Sequence, residues 1–288
     1  MDTNKCEAFL EAVNSGTILA AAKKLNYTPS GINRMINSLE TELGVTLLIR
    51  NRKGVVLTEA GASLLPLIRQ FLRCNETILE NCADLNHILR GTIHIGSYYS
   101  VAAHKLPRLI HSFSNLYPNI QLNLVEDGMK NLLDQLKLGN LDCCFLPNPE
   151  SSNLLFYPLI QDQLTIWLPR EHPLAAQDKV SVYELEKYPF ISMIPEKNIM
   201  IEKLCRKYDL ILDIRYTSCD SYTIFRMVEE NLGISANNEL TSRHWMGDIV
   251  TLPLDPPQLI QIGLVTLKSH KNSNILNRFL DYTKQNWP

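Results

Sequence analysis

Residues 17–39, TILAAAKKLNYTPSGINRMINSL, constrain this chain more than any other stretch. They predict two short helices joined by a tight turn at Asn26 and Tyr27, and the second helix has two chemically opposed faces. Ile32, Ile36 and Leu39 fall at i, i+4 and i+7, an apolar stripe that must be buried. Ser30, Asn33, Arg34 and Asn37 share the other face, with donors and acceptors of the kind that read base edges in a major groove. Thr28 followed by Pro29 supplies an N-cap and a proline at the first helical position, which fixes where the polar face begins. Ahead of this unit, Cys6, Phe9, Leu10 and Val13 give a preceding helix its core face. Gly16 ends that helix, and Thr17 can cap the next, whose Ile18, Ala21, Ala22 and Leu25 face inward. Two alanines at the crossing let the helices approach closely. The arrangement fits a helix-turn-helix. A small helical cap with a merely solvated polar face would show the same split.

The following segment separates those two readings. After Leu39, the run ETELGVTLLIRNRKGVVLTEAG places a helix stop at Gly44, then apolar Val45, Leu47 and Leu48. Arg50, Arg52 and Lys53 come next in a turn closed by Gly54, and Val55-Val56-Leu57 reads as a returning strand. This is a hairpin wing with three cations at its tip. From Lys23 to Lys53 there are six basic residues (Lys23, Lys24, Arg34, Arg50, Arg52, Lys53) against two acidic ones (Glu40, Glu42), whereas the whole chain carries a net charge of −2. Positive charge is concentrated where a phosphate backbone would lie, and phosphate contacts position a reader without specifying sequence.

With these residues in place, the chain resembles a LysR-type transcriptional regulator. The resemblance rests on Phe9, Ala21-Ala22, Leu25, Ile32, Ile36, Leu39-Glu40, Leu43-Gly44, Leu47-Leu48, Arg50 and Leu57-Thr58-Glu59-Ala60-Gly61. It implies double-stranded DNA as a partner, with Thr28, Pro29, Ser30, Asn33, Arg34 and Asn37 at the bases and Arg50, Arg52 and Lys53 at phosphate. Family members often carry a base-reading glutamine where this chain has Pro29. No operator preference therefore carries over.

At 288 residues and 45% hydrophobic content, the chain has room for two or three domains with real cores. The expected organisation is an all-α winged helix-turn-helix over 1–58 and a long linker helix over 59–89, followed by an effector-binding domain over 90–288. In the linker, Leu64, Leu67-Ile68, Phe71-Leu72, Ile78-Leu79, Leu85 and Ile88-Leu89 form a helical apolar stripe. Pro66 should bend this helix or sit where the lost hydrogen bond is tolerated. One small domain cannot cover so long a stripe, so a second chain is its natural cover. The resemblance implies antiparallel pairing of linker helices in a homodimer or tetramer, matched to an inverted-repeat operator. Packing on the chain's own C-terminal domain is the alternative.

Beyond Gly91 strands and helices alternate, which predicts α/β layers. Strands are expected at Thr92–Gly96, Ile120–Val125 and Leu141–Leu146, with helices at Val101–Tyr117, interrupted at Pro107, and Met129–Leu138. Pro147-Asn148-Pro149 reads as a crossover to a second lobe. There Leu164–Pro169, Phe190–Met193 and Leu212–Thr217 are strands and Ser221–Glu230 is a helix, ended by Asn231 in the left-handed position. Ile260–Leu267 would lead back, and Asn274–Lys284 forms a last helix on the first lobe. This layout resembles the two-lobed periplasmic-binding-protein-like domain of the same family, with lobe 1 at about 91–160 and 268–288 and lobe 2 at about 161–267. Matching pieces include Ile95-Gly96, Leu106-Pro107, Tyr117-Pro118, Leu141-Asp142, His172-Pro173-Leu174 and Leu232-Gly233-Ile234.

Ligands of open α/β sheets sit beyond the carboxyl ends of strands. That rule nominates Ser97, Tyr98, Tyr99 and Ser100 after the first strand, Pro147 and Asn148 at the crossover, Ser192 and Met193 at a strand end, and Ser218 and Ser221 before a helix. Free backbone N–H groups at Ser97–Ser100 would favour an anion such as a carboxylate. Each serine also has an ordinary role as an N-cap. Tyr98 and Tyr99 point to an aromatic or partly apolar effector, and Asp220 would oppose a carboxylate, which leaves an amine open.

An enzyme is the rival class. The chain contains no G-x-S-x-G elbow, no HExxH pair, no P-loop and no dinucleotide fingerprint, and its seven histidines are scattered. The expectation is a non-enzyme without cofactor or metal. The seven cysteines show no CxxC or His-paired spacing. Some members of the resembled family sense oxidants through a cysteine pair, a role that would fall here to Cys205 and Cys219. A solute-binding or thiol-redox protein whose N-terminal helices only oligomerise it is the alternative, and the basic wing tells against it. No apolar run approaches the ~18 residues of a membrane span, and the N-terminus lacks a signal-peptide pattern, so no membrane association and a cytoplasmic location are expected.

Overall fold

The computed structural model describes residues 1–51, 53–149 apart from 86–88, 151–194, 199–268 and 273–288. Two compact units divide the chain, the first built mainly of Met1–Arg90 and the second of Gly91–Lys137, Leu141–Lys271 and Ile275–Pro288.

In the first unit, Asp2 caps α1 (Thr3–Ser15) by accepting from the Asn4 N–H, and Gly16 closes it at φ +70°. Thr17 accepts from the Ala20 N–H to start α2 (Ile18–Lys24). The turn passes through Asn26 at φ +58°. Thr28 then caps α3 (Pro29–Leu43) through the Gly31 N–H, with Pro29 in the first turn and Gly44 in the left-handed C-cap position. Cys6, Phe9, Ala21, Ala22, Ile32, Ile36 and Leu39 are buried together, while Leu10, Val13, Ile18 and Leu25 pack partly buried at the rim. The wing is an antiparallel pair, β1 (Leu48–Asn51) and β2 (Gly54–Leu57), with Leu48 opposite Leu57. Gly54 takes φ +136°, and a Cβ there would lie 2.2 Å from the Gly16 carbonyl oxygen. That contact, with the Val55 N–H donating to Gly16 O at 2.9 Å, seats the wing on the turn between α1 and α2.

Thr58 caps α4 (Glu59–Leu85), accepting from the Gly61 N–H while donating to Thr46 O and Leu47 O. The helix continues through Pro66. Leu65, Ile68 and Leu72 join the core of the unit, but Leu67, Ile78 and Leu79 are 58%, 57% and 62% exposed. The predicted stripe therefore outruns the surface this unit offers it. Ile88 lies outside the described residues, as does the side chain of Leu85.

The second unit is organised by one mixed sheet. β3 (Gly91–Ser97) runs parallel to both β4 (Ile120–Glu126) and β5 (Cys143–Pro147). Helices α5 (Tyr99–His104) and α6 (Leu106–Leu116) follow β3, divided just before Pro107 as its lost N–H predicts. Helix α7 (Met129–Lys137) buries Met129, Leu132 and Leu136 at i, i+3 and i+7. The closing helix α11 (Asn274–Gln285) packs Phe279 edge-on against Phe113 and Phe145, so it covers the first lobe.

The passage to the second lobe differs from the expectation. The chain does not cross at Pro147-Asn148-Pro149. Pro147 ends β5 in register with Ile262, and the Asn148 N–H donates to Gln261 O, so both stay in the first lobe. The crossing is made within β6, a strand of 16 residues (Leu154–Pro169). Its Leu154–Gln163 portion pairs with β12 (Leu259–Leu267); from Leu164 onward its partners are β10 (Ser235–Asn238) and β11 (Ile249–Asp255). Sequence patterning hid this strand because Pro158 and Gln161-Asp162-Gln163 read as a loop. Pro158 sits where the register shifts at Ile262/Gly263, a place where a missing donor is tolerated. In the second lobe, β8 (Phe190–Met193) and β9 (Ile214–Ser218) form a small parallel sheet, flanked by α8 (Ile199–Tyr208) and α9 (Ser221–Glu229). Asn231 follows α9 at φ +58°, as its sequence position predicted. The short α10 (Glu239–Ser242) follows β10.

Candidate functional site

The exposed flank of α3 carries Ser30, Arg34 and Asn37, with Asn33 half-buried between them. Ser30 Oγ lies 3.1 Å from Thr28 Oγ1, so the helix start and its first polar residue are coupled. The Asn33 Oδ1 atom is buried and meets no partner among the described residues. Asn37 and Arg50 join: Arg50 Nη2 donates to Asn37 Oδ1 at 2.5 Å and lies 3.5 Å from Glu40 Oε2. Glu40 Oε1 in turn accepts from the Leu47 and Leu48 N–H groups at 2.7 and 3.0 Å. Through these bonds α3 fixes the angle of the wing. Arg50 is thereby partly engaged inside the protein. Lys24 is likewise paired, with Glu11 at 2.9 Å, whereas Lys23, Arg34 and Lys53 make no ion pair with another described residue. Lys53 stands exposed at the wing tip, its N–H held by Asn51 Oδ1. Arg52 lies outside the described residues.

The second candidate site is an open cleft between the two lobes of the second unit, with about 110 Å³ of room for a guest. Of the residues nominated from sequence, Tyr98, Tyr99, Ser100, Met193 and Ser221 line it. The others stand elsewhere, held by the backbone. Ser97 and Ser192 are buried and donate to the carbonyls of Tyr98 and Met193. Ser218 accepts from the Asp220 N–H, and Pro147 and Asn148 remain in the sheet of the first lobe. A strand-end serine whose hydroxyl turns back onto the chain reaches no cavity, the competing role such residues have.

Sequence reasoning missed a larger share of the lining. Glu126 enters from the end of β4, Asp127 and Gly128 from the loop before α7, Leu164 from the crossing strand, Ala236 and Asn237 from β10, and Met200 and Ile201 from α8. A hydrogen-bond chain spans the lobes at the back of the cleft. Asn238 Nδ2 donates to Ser100 Oγ and to Asp162 Oδ2, both at 3.0 Å, and all three residues are buried. Thr241 Oγ1 bonds Asn238 Oδ1 and Asn237 Oδ1, and Asn237 Nδ2 donates to Ser221 Oγ. Ring contacts reinforce the same seam: Tyr99 with Trp245 at 5.7 Å and His104 with His244 at 5.2 Å. Burial pushes the Tyr98 phenol above its ordinary range, opposed by a hydrogen bond with the Met129 backbone.

Cys219 is exposed and Cys205 partly buried, and burial pushes the Cys205 thiol up, away from the thiolate that oxidants attack. No group of His, Cys, Asp and Glu among the described residues is arranged to hold a metal ion. No described helix is long and apolar enough to cross a membrane.

Comparison with known proteins places both regions of the chain in one family. Residues 3–62 match the model of the bacterial regulatory helix-turn-helix protein, lysR family, and residues 86–288 match the LysR substrate binding domain. The HTH-type transcriptional regulator YbhD of Escherichia coli (strain K12) is 29% identical over 287 residues, covering 96% of this chain and 89% of that protein. YvbU of Bacillus subtilis (strain 168), another such regulator, is 26% identical, covering 99% and 98%. Among solved structures, a full-length OxyR variant from Pseudomonas aeruginosa superposes with a TM-score of 0.77 at 20% identity, covering 99% and 95%. CbnR, a LysR family transcriptional regulator, gives 0.68 at 18% identity over 99% of both chains. At that identity the last two show a shared fold. A winged head with an outward polar helix, joined to a two-lobed α/β domain and matched by both family models, makes this chain a member of the LysR family, a DNA-binding transcriptional regulator and not an enzyme.

Proposed function

We propose that this regulator binds an inverted-repeat operator as a homodimer or tetramer in the cytoplasm, and that a small-molecule effector held between the lobes of its second unit tunes that binding. The observation that carries the DNA half is the exposed polar flank of α3, begun at a fixed cap and flanked by a wing with a cationic tip. Arg34 is suited to fork onto a guanine edge, with Ser30 and Asn33 beside it. Lys53 and Arg52 would hold phosphate, and Arg50 orients the wing as well as adding charge. CbnR has been solved with its target DNA, on the same fold. The exposed Leu67, Ile78 and Leu79 of α4 give a second copy an apolar face to cover, and two-fold pairing would present two α3 helices to two half-sites.

The effector half is supported by the cleft and by the hydrogen-bonded seam behind it, which joins Ser100 of one lobe to Asn238 of the other. The effector-binding domain of QuiR, which shares this fold, has been solved with shikimate. A ligand that binds the open and closed seams with different affinity shifts their balance, and through it the spacing of half-sites the paired heads can span.

Paired substitutions test the assignment on a duplex operator. Asn33→Ala should cost about 1–3 kcal/mol and relax preference at one position. Lys53→Ala should weaken every duplex alike and reduce the slope of log affinity against log salt by about one. Identical losses on all sequences from both variants would contradict the assignment.

A further inference from the structure

We propose that the effector of this cleft is an organic cation, a protonated amine on an apolar or aromatic body; this rests on the cleft being the effector site, as argued above. Three carboxylate residues line the cleft, Glu126, Asp127 and Asp220, and no lysine or arginine does so among the described residues. An anion in a fold of this kind would be met by helix N-termini. At α7 and α9 the protein's own groups take part of the N-terminal turn, whereas α5 carries no side-chain cap. At α7, Asp127 Oδ1 accepts from the Gly128 N–H at 2.7 Å, and the Met129 backbone is bonded to the Tyr98 hydroxyl. At α9, Asp220 Oδ1 accepts from the Thr223 N–H at 2.7 Å and from Thr223 Oγ1 at 2.8 Å. Of the serines after β3, Ser97 turns back onto a carbonyl, while Ser100 accepts from Asn238 Nδ2 and is held at the seam. A carboxylate entering this space would meet three carboxylates and no lysine or arginine of the described residues.

An amine meets the opposite situation. Asp220 Oδ2 has no hydrogen-bond partner among the described residues, so it can take an ammonium N–H while Oδ1 stays on the helix. The remaining walls suit an apolar body: Leu164, Met193, Met200 and Ile201 face the space, and Tyr99 offers a ring to a cation or an arene. That ring is braced from behind by Trp245 at 5.7 Å, itself held by Tyr222 and Phe225, each at 5.2 Å. Carboxylate, aromatic face and thioethers together form a receptor for a small cation with a hydrophobic tail.

The test uses three probes of nearly equal shape, phenethylamine, 2-phenylethanol and 3-phenylpropionate, titrated calorimetrically into the full-length protein. Phenethylamine should bind and 3-phenylpropionate should not. Asp220→Asn keeps the cap on α9, since asparagine caps as well as aspartate, and should weaken the amine at least about tenfold, equivalent to ~1.4 kcal/mol. Ala236→Trp, which fills the cleft, should abolish binding. Binding of the carboxylate in preference to the amine, lost in Ala236→Trp, would overturn the cationic class and leave the cleft as effector site. Amine binding that survives both substitutions would overturn the location as well. Failure of the amine to bind at millimolar concentration, or an undiminished affinity in Asp220→Asn, overturns the proposal.

Discussion

Helix α3 is set in place by its neighbours in sequence, whereas the cleft of the second unit is set by residues far apart in the chain. Thr17 and Thr28 each cap a helix three residues on, and the Asn37–Arg50–Glu40 cluster spans 13 residues. In the second unit, the bond from Asn238 to Ser100 spans 138 positions, and β6 exchanges one set of partners for another midway along its length. The first construction gives a rigid head whose reading face is fixed before it meets DNA. The second gives two lobes joined along a hydrogen-bonded seam. The two regions thus differ in how many distant contacts each must satisfy.

Breaking the local construction should give the larger effect. Gly54→Val puts a Cβ within 2.2 Å of the Gly16 carbonyl oxygen and asks a β-branched residue to hold φ +136°. Strain of that kind and the loss of wing seating should cost about 3 kcal/mol or more. A thermal melt followed by circular dichroism should show the head unfolding early, with operator binding lost. An unshifted melt would mean that the wing is not held by the α1–α2 turn. Breaking the seam should cost less. Asn238→Ala removes the amide donor from the buried Asp162 carboxylate and from Ser100, for about 1–3 kcal/mol. Its signature is a lowered midpoint for the second unit with the salt dependence of DNA binding unchanged. If the midpoint were unchanged, the seam would not be a structural contact.

This contrast also explains what the sequence reveals. Caps, turns and helix stops are written in single residues, so Gly16, Thr17, Asn26, Thr28, Pro29 and Gly44 were legible one by one, and the reading helix with them. Periodicity likewise located α6, α7 and α11, whose apolar residues recur on one face. The cleft was only half legible. Tyr98, Tyr99, Ser100, Met193 and Ser221 follow strands or start helices, positions that a general rule picks out. Glu126, Asp127, Asn237 and Thr241 arrive through strand order, which periodicity does not encode. The length of β6 was hidden by Pro158 and a polar triplet, since a proline opposite a register shift looks like a loop until its partner strand is known. One signal was available: two adjacent carboxylates, Glu126 ending β4 and Asp127 just beyond it, ahead of an amphipathic helix.

The central claim is that α3 reads bases while the wing holds the backbone. Selection of bound duplexes from a randomised pool by the full-length protein tests it most directly, run beside Arg34→Ala. The account predicts enrichment of an inverted repeat by the unaltered protein, with preference relaxed at one symmetric pair of positions in the variant. Failure of any sequence to enrich at low ionic strength, or an identical motif from Arg34→Ala, would contradict it.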